Sequence, residues 1–133
     1  MFVPNHLHLI VKGKINNPPK EVDVLNKWFT ELVEKVSMKV VAGPTSVYVN
    51  EEGNEGLTGT CTLATSHASI HIWDSEKPSL FQFDIYSCSK FLVEDVIQHI
   101  NEFELIEHEF IFIDRNNSMK VIDSTHKLNT DKS

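Results

Sequence analysis

The sequence has few cysteines, few basic residues and no long apolar run. Its 133 residues include only Cys61 and Cys88, without CxxC spacing, which excludes a disulfide framework and a cysteine-rich zinc site. Twelve Lys and Arg against nineteen Asp and Glu give a net charge of -7, which opposes binding to nucleic acid or anionic membranes. No apolar run approaches the roughly 20 residues of a membrane span, and no basic segment precedes an apolar one at the N-terminus. We therefore expect a cytoplasmic protein.

The composition is that of one globular domain. Hydrophobic residues make up 41% of the chain and charged residues 23%, which is ordinary for a packed fold of this length. Apolar residues become too sparse after residue 115 to form a core. We expect a single domain over residues 1–115 and a polar, flexible tail over residues 116–133.

Apolar spacing predicts the elements of this domain. Helical spacing covers residues 22–36 and 89–101, and strand patterns cover residues 6–12, 38–49, 59–65, 69–73, 80–86 and 103–114. The order β-α-β-β-β-β-α-β favours an α+β fold, a two-layer sandwich of a mainly antiparallel sheet with helices on one face.

Alternation in two strands separates an apolar face from a polar one. Residues 81, 83 and 85 are apolar, so Asp84, Tyr86 and Cys88 share the opposite face. In the preceding strand Ile70 and Ile72 take one face, and the other carries His67, Ser69, His71 and Trp73.

Two chemistries are weighed first from these residues. A hydrolase could pair Ser66 or Ser69 with His71, but no GxSxG elbow surrounds Ser66. A zinc site could use His67 and His71, or His6 and His8, with Cys88 or an acid. Residues four apart on a strand lie about 13 Å from each other, which disfavours a shared ion. We predict no metal.

The segment from Thr65 to Trp73 (TSHASIHIW), followed by residues 84–88 (DIYSC), resembles a known family. The family is the small prokaryotic pyruvoyl-dependent S-adenosylmethionine decarboxylases, whose proenzymes carry a similar ES-H-x-x-I-H-x-W and D-[hydrophobic]-[FY]-[TS]-C pattern. Ser66 and His71 have the family's spacing, and Cys88 lies about two residues further from Ser66 than is usual.

The resemblance implies a self-cleaving proenzyme. The Ser66 hydroxyl would attack the carbonyl of Thr65, and cleavage between Thr65 and Ser66 would leave a pyruvoyl group derived from Ser66. This ketone would form a Schiff base with S-adenosylmethionine and support decarboxylation for polyamine (spermidine) biosynthesis, without a metal or an added cofactor.

The resemblance also implies a role for other residues. His71 would accept a proton during processing and Thr58 would hydrogen-bond the intermediate. Cys88, beside His71 on the same face of the sheet, would donate a proton to the decarboxylated substrate. The implied substrate-binding residues are Trp73 and Tyr48, which would stack on adenine, and either Asp74 or Glu76, which would meet the ribose.

Helices on one face only leave the polar face uncovered, so we expect a homodimer with sites near its interface.

Some positions depart from the family pattern. Thr65 replaces the usual Glu before the cleaved serine, an acidic loop over residues 50–56 replaces an aromatic one, and Lys12 stands where an acid is common. Two alternatives therefore remain: a pyruvoyl-dependent decarboxylase of arginine or ornithine, or an unprocessed homologue without catalysis that binds a partner or ligand.

Overall fold

The structure, a computed structural model, describes residues 5–125. Within that range the strands are β1 (Leu7–Ile15), β2 (Val40–Val49), β3 (Gly56–Leu63), β4 (Ser66–Trp73), β5 (Ser79–Ser87), β6 (Leu105–Asp114) and β7 (Lys120–Ser124). The helices are α1 (Val22–Lys35) and α2 (Val93–Ile100), and a short 3-10 turn, Asn101–Phe103, follows α2. Neither α-helix is long and apolar enough to cross a membrane.

The described strands form one antiparallel sheet in the order β2-β3-β4-β5-β1-β6-β7. The first strand is therefore central, between β5 and β6, because Leu9 pairs with Ile85 on one side and Phe112 on the other. The predicted α+β fold class and antiparallel sheet are confirmed.

The core lies between the sheet and the helices. Helix α1 buries a stripe of apolar side chains that includes Leu25, Phe29 and Leu32, and each of these side chains stabilises the fold by about 2 kcal/mol. Close contact with β3 requires glycine at position 59, because a Cβ there would lie 2.7 Å from the Phe29 ring. The helical layer thus packs on one face of the sheet and leaves the other face open.

Two local predictions differ from the structure. Sequence analysis predicts no strand after Asp114, but β7 extends the sheet by pairing with β6, for example Val121 with Ile113. The exposed edge of β6 supplies backbone hydrogen bonds, so β7 forms without burying a core face of its own. The remaining tail, residues 126–133, lies outside the described residues. Helix α2 begins at Val93 rather than after Ser89, whose backbone N–H donates to the Ser87 hydroxyl instead.

Candidate active site

The two faces of β4 and β5 are those that the alternation predicts. Ala68, Ile70 and Ile72 are buried under the helices, together with Phe81, Phe83 and Ile85 of β5. The opposite face, which we call the open face, carries the intervening side chains of both strands: His67, Ser69, His71, Trp73, Gln82, Asp84 and Tyr86.

The bond between Thr65 and Ser66 lies at a strained hairpin turn. Leu63 pairs with Ser66 across a two-residue loop, Ala64 and Thr65, and Thr65 has a φ of +64°. Left-handed backbone conformation costs a non-glycine residue about 1–2 kcal/mol, and a β-branched side chain rarely adopts it. The peptide group that the resemblance marks for cleavage therefore follows a residue in a high-energy conformation.

Cys88 contacts this same peptide group. Its Sγ lies 3.4 Å from the carbonyl oxygen of Thr65 and donates a hydrogen bond to it. The sulfur also lies 3.9 Å from Nδ1 of His6, which is 3.0 Å from the Tyr86 hydroxyl. We call Thr65, Ser66 and Cys88 the cleavage group.

His71 lies in a second cluster further along β4. Thr58 pairs with His71 in the β3–β4 register, and its hydroxyl is hydrogen-bonded to Nδ1 of the imidazole. The Trp73 ring meets the imidazole edge-on, with centroids 4.3 Å apart. Burial lowers the pKa of His71 below its usual value, against smaller opposing effects of the Asn54 backbone and of the Asp74 carboxylate, so the ring is mainly neutral at pH 7. We call Thr58, His71 and Trp73 the His71 group.

The cleavage group and the His71 group do not meet within one chain. Ser66 and His71 stand five residues apart on the same strand, a separation of about 16 Å. Sequence analysis places Cys88 beside His71, but the register pairs His71 with Gln82 and His67 with Tyr86. Cys88 therefore lies near the start of β4, where Thr65 is, and the expected Cys88–His71 proximity is wrong for a single chain.

The candidates for substrate binding are also divided. Tyr48 pairs with Leu57, which is buried beneath the helices, so Tyr48 projects on the face opposite to that of Trp73. The expected sandwich of Tyr48 and Trp73 around one ligand is therefore not formed within one chain. The Tyr48 hydroxyl instead donates to Asp74, at 3.1 Å, while Glu76 is exposed in the following turn. Of the two acids, Asp74 is adjacent to Trp73.

Sequence analysis misses a cluster around Asp84 at the middle of the open face. One carboxylate oxygen of Asp84 lies 2.8 Å from Nε2 of His8 and 3.0 Å from Nε2 of His67, and the other accepts a 2.6 Å hydrogen bond from Ser69. Burial by itself raises the pKa of Asp84, but these hydrogen bonds outweigh it and leave the pKa below its usual value. Alternation already places His67 with Asp84, but only the unforeseen pairing of β1 with β5 adds His8.

His8, His67 and Asp84 are residue types that bind metals, and their potential ligand atoms lie within 4.8 Å of one another. However, Nη1 of Arg115 lies 3.3 Å from Nδ1 of His8. Because a guanidinium only donates, Nδ1 accepts and Nε2 of His8 carries the proton that faces Asp84. The facing atoms of His8, His67 and Asp84 are thus satisfied by hydrogen bonds, and His8 has no lone pair left for a cation.

The fold defines the chain's class as a two-layer α+β sandwich whose open sheet face carries histidines, a carboxylate and a nearby thiol. A comparison with family models matches residues 8–116 to S-adenosylmethionine decarboxylase, and the chain belongs to that family. The matched region includes Ser66, His71 and Cys88. No curated protein shows a significant match to the chain. Family membership supports a function like that of S-adenosylmethionine decarboxylase.

Proposed function

We propose that this protein is a self-processing, pyruvoyl-dependent decarboxylase that acts on S-adenosylmethionine. The observation that carries the proposal is the contact of the Cys88 sulfur with the carbonyl of Thr65, a residue in a strained left-handed conformation directly before Ser66. A nucleophilic hydroxyl, a polarised carbonyl and a distorted backbone are the parts that a self-cleaving peptide bond needs.

Cleavage begins at the hydroxyl of Ser66. The Ser66 Oγ now lies 3.4 Å from the carbonyl oxygen of Ala64, and rotation of the side chain turns it toward the carbonyl carbon of Thr65. The Oγ–C bond forms, the C–N bond breaks and the hydroxyl proton passes to the departing nitrogen, which converts the amide into an ester and a free amine while Cys88 donates to the carbonyl oxygen. Relief of the Thr65 conformation favours this step.

The next step needs a base at the Cα of Ser66, and the geometry excludes His71 of the same chain. A separation of about 16 Å far exceeds hydrogen-bond reach. We therefore assign this role to His71 of the partner subunit in a homodimer whose open faces meet. The dimer is supported by a groove of about 600 Å³ on the open face, lined in part by Ile10, Ile111 and Val121, each more than 40% exposed.

The partner's His71, in its neutral form, takes the Cα proton, a Cα=Cβ bond forms and the Cβ–O bond of the ester breaks, which leaves the Thr65 carboxylate. Addition of water and loss of ammonia convert the new terminus into a ketone. The residues present fit such a group, because Ser66 is partly exposed at the start of β4 and lies next to the Cys88 thiol. A pyruvoyl ketone would supply an electron sink for the electron pair that remains on the substrate when CO2 departs.

After decarboxylation the chain must return a proton to the substrate carbon. Cys88 is the donor adjacent to the Ser66 position, and its sulfur is itself 3.9 Å from His6. His6 is held by its ring contact with the Tyr86 hydroxyl and by a backbone hydrogen bond from Arg115, so it is placed to return a proton to the thiolate. Trp73 and Asp74 lie beyond His71 at the end of the same strand, so they would come with it from the partner subunit, with Trp73 offering an aromatic face to the adenine and Asp74 meeting the ribose. The net charge of -7 suits a sulfonium substrate.

Product analysis tests the substrate. Purified protein is incubated separately with S-adenosylmethionine, arginine and ornithine, and both CO2 and the amine product are measured. The proposal predicts decarboxylated S-adenosylmethionine as the main product, with no activity in Ser66→Ala and full activity in a matched control, exposed Ser75→Ala. Decarboxylation of arginine or ornithine in preference to S-adenosylmethionine would contradict the substrate assignment.

A further inference from the structure

A second cluster of chemical interest lies in the helical layer, where α1 meets the end of α2. His99 of α2 is 1% exposed, and its ring packs against Trp28 of α1 with centroids 4.9 Å apart. Two hydrogen bonds fix this pair: the Trp28 indole donates to the carbonyl of His99 at 3.0 Å, and Nε2 of His99 lies 2.8 Å from the carbonyl of Trp28. The imidazole therefore has one orientation.

This orientation determines what the other ring nitrogen can do. A carbonyl oxygen only accepts, so Nε2 of His99 carries a proton and, in the neutral ring, Nδ1 presents a lone pair. Nδ1 is buried and has no hydrogen-bond partner among residues 5–125. The nearest charged atom is a carboxylate oxygen of Glu102, which lies 3.3 Å away but makes no hydrogen bond with the nitrogen. A carboxylate of Glu31, on α1, approaches the same point, and the three ligand atoms lie within 4.8 Å of one another.

We propose that Glu31, His99 and Glu102 form a binding site for a divalent transition-metal cation of the Zn²⁺ type. An imidazole with its second nitrogen donating to a backbone carbonyl is the usual arrangement of a metal-ligating histidine. Ligand atoms about 2.1 Å from a shared ion stand up to about 4.2 Å apart, so small movements of the two carboxylates complete the site. Water fills the remaining coordination positions, as in sites with three protein ligands.

The surroundings favour a cation and give it access. Glu31 and Glu102 are about half exposed and border a groove of about 590 Å³ on the outer surface of the helical layer. The cation now nearest to Glu31 is the Lys27 ammonium, 4.0 Å away on an exposed side chain that is free to swing into solvent. The cluster at Asp84 differs, because there each imidazole faces a carboxylate within hydrogen-bond distance and Arg115 occupies the second nitrogen of His8.

A bound ion would act as a clamp. Its ligands come from α1, from α2 and from the 3-10 turn that directly follows α2, so one ion ties α1 to a segment far from it in the sequence. Since the unfolded chain holds no such arrangement, binding must raise the melting temperature with ion concentration. This role does not depend on cleavage at Ser66 or on decarboxylation.

Zinc titration of the full, tag-free chain tests the proposal. We expect calorimetry to show a Zn²⁺ ion bound at this site, with affinity reduced about tenfold or more in Glu31→Gln and in Glu102→Gln. The matched control Glu34→Gln, which removes another exposed carboxylate from the same helix, should bind as the wild type does. These substitutions are on the surface, so a folded protein is retained even if a His99 variant proves unstable.

Two further measurements separate the site from its alternatives. Co²⁺ in place of Zn²⁺ should give visible absorption that Glu102→Gln removes, and the Nδ1 resonance of His99 should shift on Zn²⁺ addition. The proposal is overturned if the wild type binds no Zn²⁺ at millimolar concentration, or if Glu31→Gln and Glu102→Gln bind as tightly as wild type. It is equally overturned if binding is lost only in Asp84→Asn, which would locate the ion on the open face.

Discussion

Replacing Thr65 by glycine should slow the self-cleavage of the chain. Thr65 holds a φ of +64°, a conformation that costs a residue with a Cβ about 1–2 kcal/mol and costs glycine almost nothing. If the ester-forming step relieves this strain, glycine lowers the energy of the precursor but not that of the transition state. Each 1.4 kcal/mol corresponds to a factor of ten, so we expect cleavage of Thr65→Gly to be about 5–30-fold slower.

Thr65→Ala is the matched control. Alanine removes the hydroxyl and the β-branch but keeps the Cβ, and therefore most of the conformational cost. The assay follows the fraction of intact chain on denaturing gels after cell-free synthesis, with folding checked by thermal melts of both variants in a Ser66→Ala background. Cleavage of Thr65→Gly at the wild-type rate, or an equal loss in Thr65→Ala, would refute the idea that backbone strain drives the step.

Three further predictions concern His71, its pKa and Asp84. In co-expressed His71→Gln and Ser66→Ala chains, the intact His71 of the second chain should restore cleavage of the first; no restoration would mean that His71 does not act between subunits. Because burial lowers the pKa of His71, the wild-type cleavage rate should stay constant from pH 8 to about 6.5 and fall only below it, and a fall centred above pH 7 would contradict this. Asp84→Asn should lower the free energy of unfolding by about 2 kcal/mol at pH 7 in urea titrations. The folded state lowers the pKa of Asp84, so the wild type loses this extra stability as the pH falls below the unfolded pKa near 4 and then through the lower folded pKa. A stability difference between wild type and Asp84→Asn that does not change with pH would count against the ionised hydrogen-bond network.

Alternation was sufficient to predict which side chains of β4 and β5 share a face. That pattern is local, because successive residues of a strand point to opposite sides, and it correctly groups His67 with Asp84. It does not reveal which strands are neighbours. His8 reaches Asp84 only because β1 is inserted between β5 and β6. No residue of β1 predicts this long-range pairing.

Register accounts for the errors at the candidate site. Cys88 and His71 carry the same family motif, but a shift of a few residues along adjacent strands separates them and brings Cys88 to Thr65 instead. Tyr48 falls on the wrong face of the sheet because it pairs with Leu57 rather than with a residue one position away. The strain at Thr65 could not be predicted from the sequence either, because threonine is not a residue type that indicates a positive φ. A turn position with a positive φ ordinarily carries Gly or Asn.

The central claim is that Ser66 becomes the cofactor of a cleaved enzyme, and the mass of the protein under denaturing conditions tests it most directly. We expect two species, residues 1–65 and residues 66–133, with the second lighter than its unmodified sequence because the terminal amine of Ser66 has been replaced by a ketone. The Ser66→Ala variant should remain one chain. A wild-type protein that stays a single species of 15.2 kDa would contradict the account.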